Sequence, residues 1–371
     1  MNNLCIPRPF HVCVDDVGWF CGSDDRKKGG PSRTGINRFH TIEDYVAIEN
    51  LGKAVNMKIS CGFVLGEWDM ENSLKALPHF SHFGNNWKNS EYRSQREMEN
   101  IVDIINSAPH IDFTLHGLYH GYYKEGIDNH DSSDYFYRIN KELFKTPESE
   151  IKSRLDAFFH IMEYHKIKKQ VTQFIPPSFT YRQGDMAGIL KSYGISYIAT
   201  IFKSMEKLTG DVCDFVYSEN GITVIDRNNN PIPWDEMAAD FISLDDCNGI
   251  LGIHWPNFLH ENPERNDEAV KNAAEYINRC CSRFDTVAAE DISVCAMQQL
   301  VLKYGKITES DSGITVDLSS IPDTAHGNFF LVNSKKPLKS VLGGSFEEYK
   351  KYVKHSSYKI IPSENTVKIS I

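Results

Sequence analysis

The feature that most limits the fold of this chain is an apolar run ending in two neighbouring aspartates, His11-Val12-Cys13-Val14-Asp15-Asp16. A β-strand sends successive side chains to opposite faces, so a regular strand cannot present Asp15 and Asp16 on the same side. The chain must turn at this point, and both carboxylates can then face one mouth of the fold. We therefore expect a strand over 10–16 that delivers two acids to a single site.

Two later strand-like runs end in histidine. Residues 111–116 lead to His116 and His120, which are four positions apart, and residues 249–254 end at His254. One carboxylate and two imidazoles form a common three-ligand set for a catalytic divalent metal that keeps a position open for water. Three strand ends with metal-binding and acid–base side chains predict one hydrolytic site.

Strand-like and helix-like segments alternate along most of the chain, which predicts an α/β fold with a parallel sheet, open or closed into a barrel. The predicted strands are 10–16, 57–65, 111–116, 171–175, 196–201, 222–225 and 249–254. The predicted helices are 41–56, 96–107, 147–166, 184–193 and 263–283. After about residue 290, short β-prone runs separated by turn residues predict a small antiparallel β domain. The expected domains are thus 1–290 and 291–371.

These motifs resemble those of the polysaccharide deacetylases, the NodB-like carbohydrate esterases. The resemblance lies in Asp15-Asp16 with a following glycine, in His116 and His120, in the proline pair Pro176-Pro177 after a strand, and in His254. Order and spacing agree over roughly residues 10–285. The resemblance implies a distorted (β/α) barrel, often of seven strands, with its site at the C-terminal strand ends.

The sequence departs from this family in two places. Ile175 stands where the family usually has an arginine that holds the base aspartate, so either another cation orients Asp15, with Arg182 as the candidate, or none does. The family's aspartate and tryptophan that orient the final histidine have their nearest counterpart in Pro233-Trp234-Asp235.

The resemblance also implies a role for each site residue. Asp16, His116 and His120 would bind one divalent ion, by default zinc, with cobalt, nickel, iron or manganese as alternatives. Asp15 would take a proton from water, and His254 would protonate the leaving amine. His79 and His82 are the second choice for a metal-binding pair.

Further contacts are expected around these residues. A backbone N–H after Tyr119 or near Pro177 would stabilise the oxyanion. A carboxylate, Asp235 or Asp246, would lie within hydrogen-bond reach of His254. The candidate substrate-binding residues are Glu67, Tyr119, Pro177, Trp234 and Trp255.

Composition narrows the class of protein. The net charge of −10 and the lack of a Lys/Arg block disfavour a nucleic-acid or anionic-membrane partner. No apolar stretch reaches transmembrane length, and no signal peptide fits before the aspartates. Nine cysteines without a Cys-x-x-Cys motif indicate reduced thiols. We therefore expect a cytoplasmic protein, and its oligomeric state stays open.

Three functions remain in competition. The leading one is removal of an N-acetyl group from a sugar, on a nucleotide-linked, lipid-linked or short-glycan precursor of surface polysaccharide. The second keeps the metal and changes the bond, as in a deformylase or another small-molecule amidohydrolase. The third is a catalytically inactive relative that only binds glycans. Metal content and the release of acetate or formate discriminate among them.

Overall fold

The computed structural model describes residues 3–89, 94–127, 132–210, 213–310, 313–322 and 329–371. The α-helices are α1 (Ile42–Val55), α2 (Gln95–Ser107), α3 (Glu148–Tyr164), α4 (Ala187–Ser192), α5 (Phe202–Thr209), α6 (Asn266–Cys281) and α7 (Ile292–Tyr304). The strands up to residue 254 are β1 (Leu4–Cys5), β2 (Arg8–Val17), β3 (Ile59–Val64), β4 (Ile111–Gly117), β5 (Phe136–Ile139), β6 (Glu142–Lys145), β7 (Gln173–Phe174), β8 (Tyr197–Thr200), β9 (Val216–Glu219), β10 (Ile222–Asp226) and β11 (Gly249–His254). The later strands are β12 (Thr286–Ala288), β13 (Lys306–Ser310), β14 (Gly313–Asp317), β15 (Phe330–Ser334), β16 (Ser340–Leu342), β17 (Gly344–Lys351), β18 (Ser356–Pro362) and β19 (Thr366–Ser370).

The main sheet is parallel along most of its width. Its strand order is β11-β2-β3-β4-β7-β8-β10-β9, where only the edge strand β9 pairs antiparallel, and β12 pairs with the start of β2. β2, β3 and β11 are buried along almost their whole length, as expected for strands covered on both faces. Helix α1 packs against both α2 and α6 on the outside. The strand-and-helix alternation of the sequence thus gives an α/β sheet with its apolar core on both sides.

The two ends of this sheet, near β10 and at β11, come together at one point. Asn229, just after β10, forms an isolated parallel bridge with Leu251 of β11. The N–H of Gly252 donates to the Asn229 carbonyl at 2.7 Å, and the Asn229 N–H donates to the Ile250 carbonyl at 3.3 Å. The sheet therefore curls as a half-barrel. Among the described residues this seam carries an isolated bridge in place of a regular ladder, so the expected distorted (β/α) barrel is confirmed in part: the sheet is curled, but its eight strands do not form a regularly closed ring of seven.

Two antiparallel sheets follow the main sheet. Their orders are β1-β15-β18-β17 and β13-β14-β19-β16, and apolar residues of both share one core cluster. β1 pairs with β15, so the first described strand completes a sheet that otherwise comes from the end of the chain. Helix α7 joins the two parts, because Cys295 and Leu300 pack in a cluster with main-sheet residues while Met297 and Val301 pack in the antiparallel core. The division predicted at residue 290 therefore falls just before a shared helix.

No helix in the described part of the chain is both long enough and apolar enough to cross a bilayer.

A buried histidine on β2 provides a test of the main core. His11 is fully buried, and its Nε2 lies 2.8 Å from the Ser60 hydroxyl on β3. Burial lowers the pKa of His11 to about 4, because desolvation penalises the charged ring.

This pKa predicts a stability that falls in mild acid. Between its ordinary value near 6.5 and about 4, the unfolded chain takes up a proton at His11 that the folded chain refuses. Stability is therefore lost as the pH falls through that window, by roughly 3 kcal/mol at 1.36 kcal/mol per pKa unit. In His11→Gln, the unfolding free energy from urea titrations should decline less steeply between pH 7 and 4 than in the wild type. His160→Gln, at an exposed histidine, is the control. Equal slopes for His11→Gln and the wild type would contradict a buried neutral His11.

Candidate active site

Asp15 and Asp16 face the same cleft because β2 carries a bulge. The pairing register of β2 against β3 shifts between Val14 and Val17, and Asp16 adopts the left-handed conformation with φ 63°. A bulge inserts an extra residue and re-aims the side chains around it. The two carboxylates are only 2% and 4% exposed, and both line the cleft. The turn required by the sequence is thus made inside the strand.

His116 and His120 converge on Asp16. His116 is at the end of β4, and His120 follows in the next loop with φ 54°. The Nε2 atom of each ring lies 3.6 Å from Oδ1 of Asp16. The Nδ1 atom of His116 is 2.7 Å from the Ile175 carbonyl, to which it must donate because a carbonyl can only accept. A neutral His116 therefore carries its free lone pair on Nε2, toward Asp16.

These three side chains fit a divalent cation. Their ligand atoms all lie within 4.8 Å of one another. Asp16 Oδ1 and His116 Nε2 are buried and have no hydrogen-bond partner among the described residues. Leaving buried polar atoms unpaired costs free energy unless a ligand binds them. The donor set, one carboxylate and two imidazoles, is typical of zinc and of other first-row divalent ions.

The charges of this cluster influence one another. Burial alone would raise the pKa of Asp16, but the neighbouring His116 and His120 hold it below its ordinary value. Burial works against a charged His116 too, yet the nearby aspartates raise its pKa. The pKa of His120 is lowered, because burial outweighs the attraction of Asp16.

A buried carboxylate, Asp134, shapes the loop between the two histidines. It accepts hydrogen bonds from the N–H groups of Leu118, Tyr119 and His120 at 3.0–3.4 Å. A side chain at position 117 would bring its Cβ to 2.5 Å from an Asp134 oxygen, so glycine is required there. The N–H after Tyr119 is thus engaged by Asp134, which contradicts its expected role at an oxyanion. Asp134 is not among the residues predicted from the sequence, because no local motif marks it.

Arg227 supplies the cation that the sequence lacks at Ile175. Its Nη1 donates to both carboxylate oxygens of Asp15, at 2.7 and 2.9 Å, and its side chain is fully buried. The expectation of Arg182 is wrong, because Arg182 pairs with Asp185 near the surface. Ile175 instead packs its side chain in an apolar cluster. Arg227 directly follows β10, so applying the strand-end rule to that strand would have found it.

His254 lies on the other side of Asp15. It ends β11 in register with Asp15 on β2, and its Nε2 is 3.8 Å from Oδ2 of Asp15. Its backbone N–H donates to the Asn257 side chain at 2.8 Å. Burial lowers the pKa of His254, against the opposing charges of Asp15 and Asp16.

The carboxylate nearest His254 is therefore not one of the two expected. Asp246 pairs with Arg279 near the surface, and Asp235 is exposed. Asp15 lies beside the ring, but at 3.8 Å it is beyond hydrogen-bond distance, so the predicted hydrogen bond between a carboxylate and His254 is absent among the described residues.

The cleft above these residues holds roughly 760 Å³ including its open mouth. Trp234 is half-buried in its wall, with the Arg26 guanidinium stacked 4.7 Å from its ring centre. Further lining residues are Ser32, Ser178, Phe179, Asn230 and Ile232. Of the five candidate substrate contacts, Trp234 is placed where a substrate can reach it.

The other four candidates are buried in the protein interior. Glu67 is fully buried and accepts hydrogen bonds from the N–H groups of Phe20 and Cys21 and from Arg33. Trp255 is buried against the His40 ring at 4.0 Å.

Tyr119 is a buried ring packed among aromatic residues that include Trp19 and Trp87. Pro177 is buried beneath Ser178 and Phe179, which line the cleft in its place. His79 and His82 contact other aromatic rings and do not line the cleft.

No protein-family model and no curated protein matches this chain. Two solved structures resemble it in part. The 4-alpha-glucanotransferase from Thermococcus litoralis has a TM-score of 0.35 and 13% identity, over 73% of this chain and 38% of its own. The GH57-type branching enzyme from the hyperthermophilic archaeon Pyrococcus horikoshii has a TM-score of 0.31 and 12% identity, over 61% of this chain and 47% of its own. The chain thus spans less than half the length of either enzyme, and at such TM-scores the likeness carries no inference about activity.

The buried pair of Arg227 and Asp15 predicts a strongly non-additive effect on stability. Arg227→Gln leaves a buried carboxylate without its cation, which should lower the unfolding free energy by about 3–5 kcal/mol. Adding Asp15→Asn removes that charge, so the double variant should recover much of the loss. Urea unfolding of the wild type, both single variants and the double variant measures the coupling. Additive losses would show that the pair does not interact.

The three candidate metal ligands lead to a prediction of selective loss of zinc binding. Asp16→Ala, His116→Ala or His120→Ala should each weaken zinc binding by more than roughly 100-fold. Loss of a group that only hydrogen-bonds to a metal ligand typically costs about 10–100-fold in affinity, and loss of the ligand itself should cost more. Asp15→Asn and the control His82→Ala should bind zinc nearly as the wild type does. Competition against a chelating dye measures the affinities. If Asp15→Asn loses zinc and Asp16→Ala keeps it, the two aspartates have the opposite roles.

Proposed function

We propose that this protein is a metal-dependent hydrolase that removes an N-acyl group, in the leading case acetyl, from a sugar. The observation that supports this most is one cleft in which Asp15 and His254 lie beside the cluster of Asp16, His116 and His120. The motif resemblance favours a sugar, and a half-buried tryptophan in the cleft wall, Trp234, offers the kind of apolar face on which a sugar ring can pack.

Asp16, His116 and His120 are the residues that would hold the ion. A divalent cation there supplies Lewis-acid activation of water and of the acyl oxygen. The chain's own contribution is to fix the donor atoms: the Ile175 carbonyl sets the tautomer of His116, and Asp134 holds the loop of His120.

Asp15 is the proposed general base. Its carboxylate accepts a proton from the attacking water as the water oxygen bonds to the acyl carbon. Arg227 fixes the orientation of this carboxylate through two contacts from one nitrogen. Arg227 therefore acts as a positioning residue. From its place just after β10, it would perform the role that the similar motif gives to an arginine at the position of Ile175.

His254 is the proposed acid. An amide nitrogen leaves poorly unless it is protonated as the carbon–nitrogen bond breaks, so a donor must stand beside it. Burial favours the neutral ring of His254, but Asp15 is 3.8 Å away and holds the proton taken from water. We infer that this proton passes from Asp15 to His254 and then to the amine. The step ends with a free amine and a carboxylic acid.

The cleft is less suited to breaking glycosidic bonds. Glycosidases usually place two carboxyl groups on either side of the bond, at least about 5 Å apart. Among the described residues that line this cleft, the carboxylates are Asp15 and Asp16, from consecutive positions on one strand. One is bound to Arg227 and the other faces two histidines.

The two proton-transfer roles predict different substrate dependence in two variants. Asp15→Asn should lower kcat by about 10²–10⁴-fold on both an N-acetyl sugar and an aryl acetate, since both need activated water. His254→Ala should show a similar loss on the amide but a small one on the aryl ester, because a phenolate leaves without a proton. The measurement is kcat with 4-nitrophenyl acetate and with an N-acetylated sugar. Equal losses on both substrates in His254→Ala would remove its role as the acid.

The direct test of the function is a screen of the zinc-loaded protein against N-acetylated and N-formylated sugars, short glycans and nucleotide sugars. Acetate release that is abolished in His116→Ala supports the proposal. Formate release instead would identify the deformylase alternative. New reducing ends without acid release would identify glycosidic cleavage and contradict the proposal.

A further inference from the structure

A second, larger groove adjoins the active-site cleft. It holds roughly 1,290 Å³ including open space, and it lies between the β5–β6 hairpin, helix α5 and the segment after Pro177. Its polar lining consists of Arg138, Lys141, Ser178, Thr180, Ser204 and Lys207. We refer to this feature as the basic groove.

The basic groove borders the active-site cleft at Ser178. Ser178 lines both the cleft and the groove, so one ligand can touch both sides of it. Ser178 and Phe179 have φ values of 54° and 51°, a left-handed conformation that costs energy for residues other than glycine. The hydroxyls of Thr180 and Thr200 donate to the carbonyls of Ser178 and Phe179 and support this segment. A strained and supported turn thus forms the border between the two spaces.

The charge of the groove has one sign. Three cationic side chains line it without any carboxylate among the described lining residues, although the whole chain carries a net charge of −10. Lys141 and Lys207 are exposed, and neither forms a salt bridge with a described residue. Unneutralised cations facing a common space attract an anion.

A side-chain hydrogen bond braces the turn of the hairpin that carries Arg138 and Lys141. The Arg138 side chain donates through Nη1 to the Lys141 carbonyl at 3.0 Å, across the turn between β5 and β6. Asn140 and Lys141 form that turn with φ values of 52° and 70°, where Asn-Gly is the relaxed sequence. Lys141 stands where such a turn usually has glycine, so its backbone is strained, and its side chain brings an ammonium group to the groove.

We propose that the basic groove binds a phosphate or pyrophosphate group of the substrate while the acylated sugar occupies the cleft. This inference rests on the proposed function, and it assigns the substrate to the phosphorylated or nucleotide-linked sugars. Lysine ammonium groups and serine hydroxyls are suitable phosphate ligands, because a phosphate offers several strong acceptor oxygens around one compact charge. Two neighbouring spaces of different chemistry match the two parts of such a substrate.

The test is calorimetric titration of the full-length protein with inorganic pyrophosphate in EDTA, so that binding is measured without a metal and without turnover. Lys141→Gln/Lys207→Gln should weaken binding by about tenfold or more. The matched control Lys351→Gln/Lys354→Gln removes the same charge from exposed positions far along the chain and should change it by less than about twofold. An equal effect of both double variants, or no pyrophosphate binding by the wild type, would overturn the proposal.

A second titration separates phosphate from other anions. Methyl glucuronide carries a carboxylate on a sugar and should bind much more weakly than pyrophosphate. Tighter binding of the glucuronide, lost in Lys141→Gln/Lys207→Gln, would overturn the assignment to phosphate. Since neither titration requires catalysis, a protein that binds pyrophosphate in the groove but releases no acid would refute the proposed function and leave the groove in place.

Discussion

The buried contact between Arg227 and Asp15 is the interaction on which the site depends. It joins the residue after β10 to the bulge of β2, across the seam where the sheet is held by a single bridge. Burying two charges costs free energy, and removing either partner leaves an uncompensated buried charge. Here the contact fixes the orientation of a carboxylate beside His254, and it does so with an arginine from a different strand than the related motif uses.

The donor atoms of the candidate metal site depend on a similar set of supports. His116 is held by a backbone carbonyl, and the loop of His120 is held by Asp134. Asp16 itself needs the bulge and a left-handed backbone to face the histidines. Groups that hydrogen-bond to metal ligands fix the orientation of those ligands, so they matter to the site as well as the ligands themselves. The proposed chemistry thus depends on five side chains, and their positions depend on the neighbouring groups that hold them.

The sequence predicted the site residues that a strand end marks. Strand ends with acids or histidines identified the positions that the structure brings together at one cleft, because parallel strands end on the same side. The same rule applied to β10 marks Arg227, although it does not tell that its partner is Asp15, 212 positions away. Asp134 contacts backbone groups 14–16 positions before it, and no local motif marks it. Glu67 and Trp255 also follow strands, yet both side chains are buried in the interior. They were wrongly predicted to contact substrate because a strand end does not reveal which face is buried. The two ends of the curled sheet meet at an isolated bridge between Asn229 and Leu251, and such a contact leaves no periodic signal in the sequence.

In the proposed site, one carboxylate and two imidazoles bind the metal while Asp15 stays off it. Zinc-edge X-ray absorption of the protein loaded with one equivalent of zinc tests this most directly. We expect a shell of nitrogen and oxygen at about 2.0–2.2 Å with outer scattering from two imidazole rings, falling to one ring in His120→Ala and unchanged in Asp15→Asn. A sulfur shell near 2.3 Å, or a zinc shell that loses a ligand in Asp15→Asn, would contradict it.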